Sequence, residues 1–107
     1  MDLTQKKCVA CEGDTAPLNR TEAEVLLRQI PGWQLEGDGT TIAREYPFAD
    51  FAQALAFVNR VGAIAESEGH HPDIALGWGR VAITLSTHAI GGLSENDFIL
   101  AAKIDAR

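Results

Sequence analysis

The residues best suited to chemistry are three histidines, His70, His71 and His88, which fall within one stretch of nineteen residues. Imidazole has a free pKa of about 6.5, so it gives and takes protons near neutrality. Two or three imidazoles together suit a reaction that needs an acid and a base at once. His88 follows a run in which Val81, Ile83 and Leu85 alternate with Ala82, Thr84 and Ser86. Period-two counting puts it with the small and polar set, away from the apolar face. His70 and His71 follow a helical pattern, and a helix end can meet a strand end, so one pocket is expected to hold all three. The competing reading is structural, because a histidine at a helix end is favoured by the dipole. Zinc with an open position is a further alternative for three imidazoles. Adjacent side chains diverge, however, and the helical His-x-x-x-His spacing is absent, so no metal is expected.

Residues around the histidines carry two readings each. Asp97 sits at the third helical position of a capping box, so its carboxylate could cap the helix or serve the site. Glu66 lies one turn before His70 and could orient it or be solvated. Pro72 stiffens the chain after His71 and biases that histidine to an extended backbone. Trp33 and Trp78 are expected as core or partly buried aromatics. Cys8 and Cys11 form a Cys-x-x-Cys pair, but only two cysteines are present and loop composition follows, from Glu12 to Pro17. A closed zinc site wants about four ligands, and a thioredoxin-like site wants a strand before the pair and a helix after it. The pair is therefore read as part of a flexible terminal arm over residues 1–17, with metal and redox roles as the alternatives.

Three helices must position these groups. Thr21 to Glu24 has capping-box form, Val25, Leu26 and Ile30 make a stripe, and Pro31-Gly32 ends it. A second helix opens at Asp50 with Gln53 reaching back. It carries Phe51, Leu55, Val58, Val61, Ile64 and Ala65 and stops at Gly69. A third opens at Ser94-Glu95-Asn96-Asp97, with Leu93 and Phe98 as a staple, and continues through Ile99, Leu100 and Ile104. Between them lie alternating runs: Trp33 and Leu35; Ile42, Arg44, Tyr46 and Phe48; Ile74, Leu76 and Trp78; Val81, Ile83, Leu85 and Thr87. Turns are expected at Gly37-Asp38-Gly39 and at Gly79-Arg80. The order α-β-β-α-β-β-α predicts an α+β domain over 18–107, a four-stranded antiparallel sheet with three helices on one face.

Composition narrows the function classes. The chain has 107 residues, enough for one domain, with fifteen acidic and nine basic side chains and a net charge of −6. That balance argues against nucleic acid as a partner and against docking on anionic membranes. No apolar run reaches the roughly eighteen residues of a membrane span, and Met1 to Lys7 carries no apolar signal core. A cytoplasmic location is expected.

The spaced set Glu66-x-x-x-His70-His71-Pro72, then Trp78, His88 and Asp97, resembles the signature of the pterin-4a-carbinolamine dehydratases. Gly32-Trp33, Ile83 to His88 and Gly92 to Glu95 agree with it, and the likeness runs from about Leu18 to Ile104. The resemblance implies a four-stranded antiparallel sheet flanked by three helices. It also implies dehydration of 4a-hydroxytetrahydropterin to quinonoid dihydropterin, recycling the pterin released by an aromatic amino-acid hydroxylase. His70 and His88 would then be the acid–base pair and His71 would help hold the pterin. Ser86, Thr87 and His88 would line the ring's polar edge, with Pro72, Trp33, Glu66 and Asp97 completing the substrate site. No cofactor is implied, because the pterin is the substrate. Gly69 and Asn96 depart from animal members, which often have aspartate and arginine there. The family forms homodimers and homotetramers. It also includes binding proteins, transcriptional dimerisation cofactors and Rubisco assembly factors, so a non-catalytic partner-binding module is the alternative.

Overall fold

The structure, a computed structural model, describes residues 2–9 and 16–106. Three α-helices, α1 (Arg20–Leu27), α2 (Phe51–Glu68) and α3 (Glu95–Ala106), alternate with two strand pairs. The strands are β1 (Gln34–Glu36), β2 (Thr41–Pro47), β3 (Asp73–Gly77) and β4 (Arg80–Leu85). They form one antiparallel sheet in the order β1-β2-β4-β3. The α+β arrangement and the element order agree with the sequence expectation. No helix among the described residues is long and apolar enough to cross a membrane.

Alternation along the central strands makes the core. Ile42 and Tyr46 of β2 and Val81, Ile83 and Leu85 of β4 are buried on the helix side. Ala54, Phe57, Val61 and Ala65 of α2 and Phe98 and Leu100 of α3 close over them. Truncating Phe57 to alanine would cost about 3–5 kcal/mol through lost transfer energy and the cavity left behind. The other sheet face is open, with a hollow of about 390 Å³ that includes Gln34, Ala43, Ala82 and Thr84.

Local chemistry explains where the elements begin and where they differ from expectation. The capping box of α1 lies at Asn19 and Glu22, two residues before the Thr21–Glu24 pair expected from sequence. Asparagine is at least as good a cap as threonine, and the Leu18 N–H bonded to the Leu93 carbonyl at 2.8 Å fixes the chain's approach. Val25 is exposed, while Ala23 is the buried residue of α1. Asp50 caps α2 as expected, accepting from the Gln53 N–H at 2.9 Å. The core stripe of α2 runs through Ala54 and Phe57, leaving Phe51 and Leu55 exposed. The β3–β4 turn is Trp78-Gly79, closed by the pair Gly77 and Arg80. Trp78 therefore sits at a hairpin tip, 73% exposed, and is not a core aromatic.

Two anchorages hold α3. At its far end, Asp105 accepts from Trp33 Nε1 at 2.8 Å, Arg44 Nη1 at 3.0 Å and Tyr46 Oη at 2.6 Å. Along its flank lies the N-terminal segment. Residues 2–9, expected as part of a free arm, are docked: Leu3 is buried and Lys6 Nζ meets Glu95 Oε2 at 2.6 Å. Cys11 lies outside the described residues, and with it the metal and redox alternatives for the Cys-x-x-Cys motif.

Candidate active site

Each histidine is placed by a backbone device. Gly69 ends α2 in the left-handed region, φ 66° and ψ 27°. The His70 N–H bonds the Ala65 carbonyl and the Gly69 N–H bonds that of Glu66, the pairing of a Schellman motif. His70 thus leaves the helix in a set direction, and Pro72 directs the chain into β3. His88 was expected at a strand end, but β4 stops at Leu85 and His88 opens a short 3-10 turn, His88–Ile90. Thr87 and Gly92 tie the ends of that turn together through paired backbone bonds, and Gly91 closes it at φ 68°. Gly92 has no room for a side chain, because a Cβ there would meet Pro17 Cβ at 2.9 Å.

The three histidines line one cleft of about 270 Å³, together with Ser86, Thr87, Gly69, Val9, Ala89 and Asn96. A second hollow of about 230 Å³ lies beyond and shares Ser86 and His88 with it. His70 is largely covered, its side chain 12% exposed, while His71 is 60% exposed. His88 is exposed and makes no side-chain hydrogen bond to any described residue.

Carboxylates orient two of the rings. Asp97 is fully buried, and its Oδ1 lies 2.6 Å from His70 Nε2. Its Oδ2 accepts from Thr87 Oγ1 at 2.8 Å and from the Ser94 N–H at 3.0 Å. With Thr87's proton given to Asp97, the Ser94 hydroxyl donates to Thr87 at 2.7 Å. Asp97 is thus both the reciprocal half of the α3 cap and the holder of His70. An ionised carboxylate can only accept, so beside it a neutral His70 would carry its proton on Nε2 and its lone pair on Nδ1. Glu66 Oε2 lies 2.5 Å from His71 Nε2, so this largely exposed carboxylate meets His71 and not His70, the partner that was one of its two possible readings. The bond is solvent-exposed, and pairs of this kind contribute little to stability.

Four residues expected at the substrate site lie elsewhere or are fully engaged, and Glu66, which meets His71 outside the cleft lining, is the first. Trp33 is buried with its indole N–H on Asp105 and does not line the cleft. Pro72 is half-buried and shapes the path of His71 without lining the cleft. Asp97 has no exposed surface with which to touch a ligand and reaches the cleft only through its bond to His70. In the other direction, Val9 and Asn96 line the cleft without having been expected there. Among the described residues no group of three or more His, Cys, Asp or Glu side chains is placed to hold a metal ion.

A thiol borders this region. The Cys8 N–H donates to Glu68 Oε1 at 2.9 Å, and Lys103 Nζ reaches Glu68 Oε2 at 2.6 Å. Burial, with Glu68 adding to it, pushes the Cys8 thiol up to about 12. The hydrogen bond from Lys103, followed by that from the Cys8 N–H, holds Glu68 below the usual carboxylate range.

Residues 16–107 match the family described as Pterin 4 alpha carbinolamine dehydratase. A protein of Halorhodospira halophila, provisionally named a pterin-4-alpha-carbinolamine dehydratase, is 54% identical over 99% of this chain and 97% of its own. One from Rubrobacter xylanophilus with the same provisional name is 51% identical over 97% and 96%. These matches extend into the N-terminal segment. Among solved structures, a transcriptional coactivator/pterin dehydratase from Brucella melitensis superposes with a TM-score of 0.79 at 34% identity, covering 84% of this chain and 96% of that one. A pterin dehydratase-like protein identified as a RuBisCO assembly factor in the alpha-carboxysome gives a TM-score of 0.61 at 32% identity, covering 70% and 87%.

Proposed function

The chain belongs to the pterin-4a-carbinolamine dehydratase family, and from that premise we propose that it dehydrates 4a-hydroxytetrahydropterin by histidine acid–base catalysis. The observation that carries the reading is the meeting of His70, His71 and His88 in one cleft, with His70 oriented by a buried carboxylate. Loss of the 4a hydroxyl as water requires one proton to reach the departing oxygen and another to leave a ring nitrogen. His70, with its Nδ1 lone pair set by Asp97, is the base. His88, exposed and without a described side-chain partner, is the acid that protonates the leaving hydroxyl. His71, braced by Glu66, borders the ring, and the backbone of Ser86 and His88 meets its polar edge. Such positioned proton transfers supply about 10²- to 10⁴-fold each. The products are quinonoid dihydropterin and water, and neither step draws on a cofactor. An aromatic amino-acid hydroxylase is the source of the substrate.

The protein works as a homodimer or homotetramer in the cytoplasm. The unpaired edges of β1 and β3 and the exposed Phe51 and Leu55 of α2 support self-association. A non-catalytic partner-binding role is the second reading, supported by the likeness to the RuBisCO assembly factor. Stopped-flow absorbance with freshly generated 4a-hydroxytetrahydropterin separates the two. The wild type should accelerate water loss and His88→Ala should lose about a hundredfold or more in kcat while remaining folded. A wild type with no effect on dehydration leaves only the binding role.

A further inference from the structure

One wall of the histidine cleft comes from outside the span matched by the family, and that wall is Val9. The residue is 70% exposed, yet its backbone is held at two points by one amide. The Val9 N–H donates to Asn96 Oδ1 at 2.9 Å, and Asn96 Nδ2 donates to the Val9 carbonyl at 2.5 Å. Upstream, Leu3 is buried, Lys6 pairs with Glu95 and the Cys8 N–H binds Glu68. The segment from Leu3 to Val9 is therefore a strap along α3 that delivers one exposed apolar side chain to a cleft bordered chiefly by histidines, hydroxyls and an amide. Packing does not account for that side chain, because an exposed valine contributes little to the core. Among the cleft's described residues only Val9 and Ala89 present apolar side chains, and Val9 is the larger.

We infer that Val9 is a specificity-determining contact for the face of the bound ring, and that Asn96 is the positioning residue that holds it there. The inference rests on the reading above that a pterin occupies this cleft. A pterin is flat, with polar edges and two apolar faces. Histidines and backbone amides address the edges, and a ring face calls for an apolar partner. Asn96 stands next to Asp97, so the strap is tied to the same turn of α3 that holds His70.

The test compares Val9→Asp and Asn96→Ala with wild type, using Val25→Asp on the exposed face of α1 as a control. Dehydration kinetics and the fluorescence-monitored binding of 7,8-dihydrobiopterin are measured alongside thermal midpoints. Val9→Asp should raise KM and the dihydrobiopterin Kd about tenfold, with kcat within about twofold and an unchanged midpoint. Asn96→Ala should move KM and Kd in the same direction, and Val25→Asp should match wild type. A Val9→Asp protein with wild-type KM and Kd overturns the inference while leaving the dehydratase intact. A wild type that neither turns over nor binds a pterin removes both readings together.

Discussion

His70 and Asp97 stand 27 residues apart in the chain and 2.6 Å apart in space, Nε2 to Oδ1, with the aspartate wholly buried. The bond joins the residue that leaves α2 to the first turn of α3, and it decides which imidazole nitrogen bears the proton. The base proposed above is thus oriented by tertiary structure and not by the local sequence of the histidine pair.

Replacing Asp97 by asparagine preserves volume but offers the imidazole an N–H as well as a carbonyl. The amide can donate to Nε2, which moves the ring proton to Nδ1 and removes the base. Asp97→Asn should lower kcat about a hundredfold or more, and the ring-nitrogen NMR shifts of His70 should report the changed tautomer. Wild-type kcat in this variant would show that His70 is not the base.

Asp105 collects three donors from Trp33, Arg44 and Tyr46. Asp105→Ala leaves them without that acceptor and should lower stability by about 2–3 kcal/mol. The effect should appear as a lower urea midpoint with unchanged m. Trp33 does not line the cleft, so KM should stay near wild type where the protein is folded.

Glu68 supplies a pH dependence of known sign. Its folded pKa is depressed by Lys103 and the Cys8 N–H, so its contribution is complete above its unfolded value, about 4.3. The contribution is lost as pH falls through the lower folded value. Glu68→Gln should therefore lose less stability than wild type between about pH 5 and pH 3. Equal losses, read from urea midpoints across that range, would contradict the assignment.

The thiol of Cys8, raised to about 12 by burial and Glu68, should be a poor nucleophile. In a Cys11→Ser background, iodoacetamide at about pH 8 should alkylate the folded protein at least about tenfold more slowly than the unfolded chain. Equal rates would mean that the strap does not shelter Cys8.

The features legible in the sequence were those set by neighbours in the chain. Asp50 as a cap and Gly69 as a stop are local chemistry, and both stand where expected. The starting turn of α1 was ambiguous because Asn19–Glu22 and Thr21–Glu24 both have box spacing, and contact between Leu18 and Leu93 selects the first. On α2 two apolar stripes compete. The small Ala54 and Ala65 let the helix approach the sheet closely, so the stripe with Phe57 is buried and Phe51 remains outside. Convergence of the histidines could be read from their places at element ends. The partners of those histidines could not, because spacing joins Glu66 to His70 whereas the fold joins it to His71. Val9 gave no signal at all, since its place depends on Asn96, 87 residues away.

One carboxylate, that of Asp97, both steadies an imidazole and fastens the opening amide of a helix. A relative without turnover would still draw helix stability from this aspartate. Retention of Asp97 in a relative is consequently no guide to whether that relative is an enzyme.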